Sequence, residues 1–403
     1  QQRGMDVRNI QWTENRFQND KLQADLADHF SEKQIEKTMH FHSGVPQYEM
    51  TPLHHLSSLA EHVGVGSIYV KDESHRFGLN AFKGLGASYA MANYFADALS
   101  LDLSTIDFKT LIEEVKSLPP KTFATTTDGN HGKAVAWAAK VLGQKAKVFM
   151  PKGSSQARVE AIESFGAEVQ VTDLNYDDTV QKVSELAAES DWILMQDTAW
   201  EGYETIPLHV MQGYLTIVGE IRKQLEWEKF KEITHVFLQA GVGSFTAAVG
   251  AGIYNLISEN YPKIIVVEPE NAACFYESAL DSSGEPKQVY GDLATMMAGL
   301  SCGAPNPIAW DILKNISHSF LALDDSLSAR GMRVLGNPLL GDPRIVSGES
   351  GAAVSVGLIY ELVQDEKRED IKEKLELDEN STILIINTEG DTDPKNYRHI
   401  VWG

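Results

Sequence analysis

Cysteine is almost missing from this chain: Cys274 and Cys302 are the only two among 403 residues. A disulfide framework and a closed metal site of cysteine type are thereby excluded, so no metal is expected. Two reduced thiols are the expectation unless the fold brings the pair within bridging distance. Long apolar runs are missing too. Residues 264–267 (Ile-Ile-Val-Val) and 383–386 (Ile-Leu-Ile-Ile) are far too short to span a bilayer. No basic-then-apolar secretory pattern opens the sequence, and a cytoplasmic location with no membrane partner is the expectation. Basic residues are outnumbered, 35 Lys and Arg against 57 Asp and Glu, and the formal charge of −22 opposes attraction to nucleic acid or anionic lipid. Neither a repeat, a low-complexity tract nor a linker rich in Pro, Gly or Ser is found, so any lobes are expected to share a broad interface.

What is present is a long alternation of short apolar runs with amphipathic segments, the pattern of β-α-β units around a parallel sheet. Residues 1–50 read as a polar, irregular arm with one helix over 31–39. Residues 67–73 read as a short buried strand ending in charge. From residue 121 the pattern predicts strands at 122–127, 146–150, 168–172 and 192–196, with helices at 132–142, 156–165 and 177–190 between them, the last capped by Asp177 or Asp178. A second series follows: helix 209–225, strand 234–239, helix 245–259, strand 263–268, helix 272–280, then a helix from about 350 and a strand at 381–387. Two sheets fit this series better than one.

Four stretches carry chemistry. Lys83 stands in Asn80-Ala81-Phe82-Lys83-Gly84, ahead of a helix of small residues, a poor place for a solvated charge and a suitable one for holding a cofactor through an imine. Thr125-Thr126-Thr127-Asp128-Gly129-Asn130-His131-Gly132 joins a strand to a helix and presents hydroxyls and N–H groups suited to an anion such as a substrate carboxylate, although an Asp-Gly turn with a capping role accounts for the same residues. Gly241-Val242-Gly243-Ser244 lies in the same kind of strand-to-helix position and suits a phosphate. It is neither a dinucleotide fingerprint, since position 246 is Thr, nor a Walker loop. Finally, Thr388 follows the last strand, in an acidic run through Asp393, where its hydroxyl suits a ring nitrogen.

Taken in order over roughly residues 45–393, these motifs resemble the fold-type II pyridoxal-phosphate enzymes, which include serine and threonine dehydratases, tryptophan synthase β and cysteine synthase. Within that group the closest resemblance is to the diaminopropionate ammonia-lyase family. Asp128 ahead of Gly-Asn-His-Gly, the Gly-Val-Gly-Ser loop, residues 196–203 and the tail 388–393 all point that way. The resemblance implies an α/β fold of two three-layer lobes with mainly parallel sheets. Residues 1–90 and 205–403 would form a large cofactor domain and 91–204 a small one.

It also implies pyridoxal 5'-phosphate carried on Lys83, with Phe82 beside its ring, Asn130 on the ring hydroxyl, Gly241, Val242, Gly243 and Ser244 on the phosphate, Thr388 on the pyridine nitrogen and Glu349 near by. Thr127, Asp128, His131 and Asp197 would meet a small amino-acid substrate. Lys83 would serve as base on one face, and Asp128 or Asp197 would bind a β-ammonium or act as base on the other. The implied activity is α,β-elimination of both enantiomers of 2,3-diaminopropionate to pyruvate and ammonia, in a homodimer. The rival readings are a serine/threonine dehydratase, a β-replacement synthase, and a catalytically silent ligand-binding protein of the same fold.

Overall fold

The computed structural model describes residues 8–403; residues 1–7 of the expected N-terminal arm and large domain lie outside the described residues. Among the described residues there are eleven strands: β1 (Ile10–Glu14), β2 (Leu53–His55), β3 (Ser67–Asp72), β4 (Thr122–Thr126), β5 (Lys145–Met150), β6 (Glu168–Val171), β7 (Ile193–Leu194), β8 (His235–Gln239), β9 (Lys263–Pro269), β10 (Ser317–Leu323) and β11 (Thr382–Asn387). They form one seven-stranded and one four-stranded sheet, and the chain divides into two compact units, each holding one of them.

The first unit comprises the described residues up to Ala27, Thr51–His75 and Glu220–Gly403. Its strand order is β1-β10-β9-β8-β11-β3-β2, and only the two edge strands run antiparallel to their neighbours. The five central strands are apolar on both faces, as parallel strands covered on both sides must be. Phe237, Ile265, Val267, Leu321, Ile383 and Ile385 anchor a continuous core with Leu59, Val63, Val354 and Leu358 from two helices, Ser57–Val63 and Ala353–Gln364.

The second unit, Asp28–Met50 with Arg76–Gly219, holds the parallel sheet β6-β5-β4-β7. Its long helix Gly84–Leu99 lies against helix Thr205–Gly213 so closely that a Cβ on Gly213 would sit 2.4 Å from the Leu85 carbonyl. His42 fixes the start of the same helix, one ring nitrogen 2.9 Å from the Leu85 carbonyl and the other 2.5 Å from the Thr216 hydroxyl.

Several elements differ from the sequence reading. The N-terminal segment is not merely an arm: β1 pairs with β10 along its whole length, and Ser31 caps a helix, Glu32–Gly44, that buries Ile35 and Phe41. Strand β10 begins Ser-His-Ser, and those polar residues concealed it. The expected helix at 209–225 is two, Thr205–Gly213 and Leu215–Phe230. Helix Tyr176–Ala188 is capped by Asn175, whose side chain accepts from the Asp178 N–H at 2.8 Å; Asp177 and Asp178 occupy its first turn, where they favour the helix dipole. Strand β7 keeps two paired residues of the expected five.

The charge expected at the end of β3 is inside the protein. Lys71 and Glu220 are fully buried, with Nζ 2.8 Å from Oε1, and Lys71 also donates to the Thr51 carbonyl and to Gln224 Oε1, each at 2.8 Å. Two buried ions are tolerable only while each neutralises the other. Lys71→Met is therefore expected to destabilise the chain by about 3–5 kcal/mol in urea unfolding, and adding Glu220→Leu is expected to recover part of that loss.

Candidate active site

Each chemically suggestive loop begins where a strand ends, the edge at which parallel sheets gather their helix N-termini. In the second unit the approach to Lys83 is set by backbone that turns left-handed at Phe77 (φ 54°), Gly78 (φ 73°) and Asn80 (φ 57°). For Phe77 that conformation is costly, and it is held by stacking on Trp137 with centroids 4.4 Å apart. Lys133 adds a second tie, donating from Nζ to the Leu79 carbonyl at 2.7 Å. The result is Lys83 as the N-cap residue of helix Gly84–Leu99, with Phe82 beneath it against the Tyr214 ring at 4.8 Å.

Asp197 meets this lysine. Lys83 Nζ donates to Asp197 Oδ2 at 3.2 Å, and the Asp197 side chain is only 16 % exposed. Burial alone would push the Asp197 carboxyl upward, but the Lys83 ammonium, with help from His131 and the hydrogen bond, takes it down to about 2. The turn that carries Asp197 is clamped by Tyr203, whose hydroxyl donates to the Leu194 carbonyl at 2.7 Å and accepts from the Gln196 N–H at 2.9 Å.

His131 lies on the other side of Asp197, Nδ1 to Oδ2 4.0 Å. Its Nε2 is 2.8 Å from the Met195 carbonyl, which can only accept, so Nε2 carries the hydrogen. Burial, opposed by Asp197 and reinforced by Lys83, pulls its pKa below the usual range; the ring is neutral at pH 7, and Lys83 is the cation that counts for Asp197. Lys133 and Tyr203 are positioning residues to which sequence reading gave no role: Tyr203 closes the stretch 196–203, which was marked only for its resemblance, and Lys133 stands in no motif.

The loop 125–132 is organised by Thr127. Its hydroxyl accepts from the N–H groups of Gly129 and Gly132, both at 2.9 Å, and a Cβ on Gly132 would lie 2.2 Å from its methyl group. The capping role thus belongs to Thr127. Asp128 is exposed, and Arg158 donates to its backbone carbonyl at 3.3 Å. Crowding by the protein raises its carboxyl against the pull of Arg158 and Lys83, although water at this exposed position screens the effect. Asn130 opens helix Asn130–Val141.

In the first unit, Gly241-Val242-Gly243-Ser244 runs from β8 into helix Ser244–Ile257. Gly243 is left-handed (φ 90°), a Cβ there would meet the Phe275 ring at 2.3 Å, and no side chain caps the helix. Asn306 holds the loop from behind: its N–H donates to the Val242 carbonyl at 2.8 Å and its Nδ2 to Ser244 Oγ at 2.9 Å. An uncapped N-terminus of a 14-residue helix with a supported hydroxyl is an anion cradle. Cys274 is buried and Cys302 half-buried beside it, both as thiols.

Thr388, 4 % exposed beyond the end of β11, accepts from Gln239 Nε2 at 3.1 Å and lies 3.3 Å from the Ser350 carbonyl. Asn387 before it is fastened to Asp72 by its Nδ2 at 2.9 Å. Glu349 is nearly buried and accepts at 2.5 Å from Asn396 Nδ2. The structure therefore brings Lys83, Asp197 and His131 together in one unit, with Asp128 on the adjoining loop. In the other unit it builds a cradle at 241–244 and a fixed hydroxyl at 388.

Comparison with known proteins finds similarity over most of the chain. A family described as pyridoxal-phosphate dependent enzymes matches residues 45–389. A curated diaminopropionate ammonia-lyase from Salmonella typhimurium is 50 % identical over 365 residues, 90 % of each chain. Among solved structures, the holo diaminopropionate ammonia lyase from Escherichia coli superposes with a TM-score of 0.90 at 45 % identity, covering 98 % of this chain and 97 % of its own. The same enzyme in complex with D-serine gives 0.89 with the same identity and coverage. On the strength of that identity, sustained over nearly the full length of both sequences, the chain belongs to the pyridoxal-phosphate-dependent enzymes and, within them, to the diaminopropionate ammonia-lyase family.

Proposed function

We propose that this chain eliminates ammonia from both enantiomers of 2,3-diaminopropionate to give pyruvate and ammonia, and that Lys83, Asp197 and Asp128 divide the acid–base work. The observation that carries the assignment is the Lys83–Asp197 ion pair at 3.2 Å. The residues suit the cofactor on their own chemistry. Gly241 and Gly243 let their loop pack against the Gly299 carbonyl and the Phe275 ring, where Cβ atoms would come within 3.0 and 2.3 Å; the helix start beyond them has no side-chain cap, Ser244 adds a hydroxyl, and Lys83 is the amine. Phe82, Asn130, Glu349 and Thr388 are assigned the ring, its hydroxyl, its surroundings and its nitrogen. Pyridoxal phosphate, when bound, supplies an electron sink for the pair left on the substrate α-carbon.

Lys83, once its amine is released by the incoming substrate, acts as base from one face. While its amine carries the cofactor or serves as a base, Lys83 offers Asp197 no ammonium. Without that ammonium burial again disfavours the Asp197 carboxylate, and the β-ammonium of diaminopropionate would supply a replacement charge and stay protonated for departure. A hydroxyl leaving group offers no such charge, which favours this reading over a serine or threonine dehydratase. Because Asp197 is engaged with Lys83, the second base is assigned to Asp128. Its carboxyl is raised toward the range in which a base works well. Thr127 and His131 complete the substrate side. We further propose a homodimer in the cytoplasm, on the family assignment; light scattering of the purified enzyme measures the assembly.

Borohydride reduction of the loaded enzyme followed by peptide mapping is expected to place the pyridoxyl group on Lys83; a label on a peptide lacking residue 83 overturns the assignment. Gly243→Ala forces a methyl group toward Phe275, and cofactor affinity in equilibrium dialysis is expected to fall roughly tenfold or more. Asp128→Asn is expected to lower kcat/KM for D-diaminopropionate by about 10²-fold and to affect the L form much less. Equal losses would leave Asp128 a binding group only.

A further inference from the structure

We infer that Gln239 is a positioning residue that commits the Thr388 hydroxyl to donating its hydrogen to the pyridine nitrogen, and so keeps that nitrogen unprotonated. The inference rests on the proposed placement of Thr388 at the ring nitrogen.

The geometry fixes which end of the Gln239 amide faces Thr388. Nε2 lies 2.9 Å from the Ile386 carbonyl, an oxygen that can only accept, so the atom there is the donor nitrogen. The same nitrogen is 3.1 Å from Thr388 Oγ1. A hydroxyl has one hydrogen and accepts through its lone pairs, so once Gln239 donates into Oγ1 the Thr388 hydrogen must point elsewhere. Inside the protein its alternative acceptor is the Ser350 carbonyl at 3.3 Å, beyond the usual span of a hydroxyl hydrogen bond. A basic ring nitrogen is the better acceptor.

Gln239 sacrifices one of its own hydrogen bonds to do this. It is 2 % exposed, and its Oε1 is buried without a partner. The other residues of β8 are buried as well, and an apolar side chain at this position would fill the space without stranding an oxygen. The amide is explained by its two donor bonds, one clamping β11 and one turning the hydroxyl. Asn306 treats Ser244 in the same way, with Nδ2 donating to Oγ while Oδ1 accepts from the Ile308 N–H at 3.1 Å.

The test loads the apoenzyme with pyridoxal phosphate labelled with nitrogen-15 in the ring and reads the ring-nitrogen chemical shift in the wild type, Thr388→Val, Gln239→Met and the double variant. The wild type is expected to show an unprotonated, hydrogen-bonded nitrogen. Thr388→Val moves the shift to that of a nitrogen without a donor, Gln239→Met moves it the same way by a smaller amount, and the double variant equals Thr388→Val. Gln239→Glu, of the same shape, covers the case in which the methionine variant does not fold. Its carboxylate draws the Thr388 hydrogen to itself, and its shift is expected to change with pH, returning toward the wild-type value as the carboxyl protonates. If Thr388→Val moves the shift while neither Gln239 variant does, the inference fails and the placement of Thr388 stands. If Thr388→Val leaves the shift unchanged, that placement fails and the inference with it.

Discussion

Parallel pairing obliges the chain to leave each strand, cross the sheet through a helix and re-enter in the same direction, so the carboxyl ends of the paired strands collect on one edge. In the four-stranded sheet that edge receives Thr127 after β4 and Asp197 after β7. In the seven-stranded sheet it receives Gly241–Ser244 after β8 and Thr388 after β11. Residues far apart in sequence become neighbours without any local signal that they belong together.

The loops stay in place because single side chains behind them tie them down by hydrogen bonds. Tyr203 holds the turn of Asp197 by two hydrogen bonds, Thr127 holds its own loop by two, and Asn306 supports Ser244 while tying Val242. Each removes freedom from a side chain proposed to meet a ligand, and preorganisation of this kind is a large part of what a protein contributes to catalysis. Lys83 is handled differently, by a turn in which three of four residues are left-handed.

The α/β class, the two sheets and most central strands were legible because parallel strands are continuous apolar runs and the helices between them are amphipathic. What escaped were elements whose signal is polar or borrowed: β10 behind Ser317 and His318, and β1, which is a strand only because β10 lies beside it. The motif residues were legible as a set through their resemblance to a family. Composition alone left Thr127, Asp128 and the glycine loop open to blander readings. Invisible in the sequence were the ties made by single side chains across the fold, such as Lys133 to Leu79 and Gln239 to Thr388, because an isolated lysine or glutamine carries no information about what it will face.

The uncapped helix start at Gly243 also bears on kinetics. A chain of net charge −22 repels a phosphate-bearing molecule at long range, and nothing in a row of backbone N–H dipoles reaches far enough to offset that repulsion. The dipoles act only within the last few ångströms. Added salt should therefore speed the first encounter by screening the distant field, while leaving the short-range grip of the loop nearly unchanged. For the proposed phosphate cradle, retention and speed of capture are thus separate properties, governed by different distances.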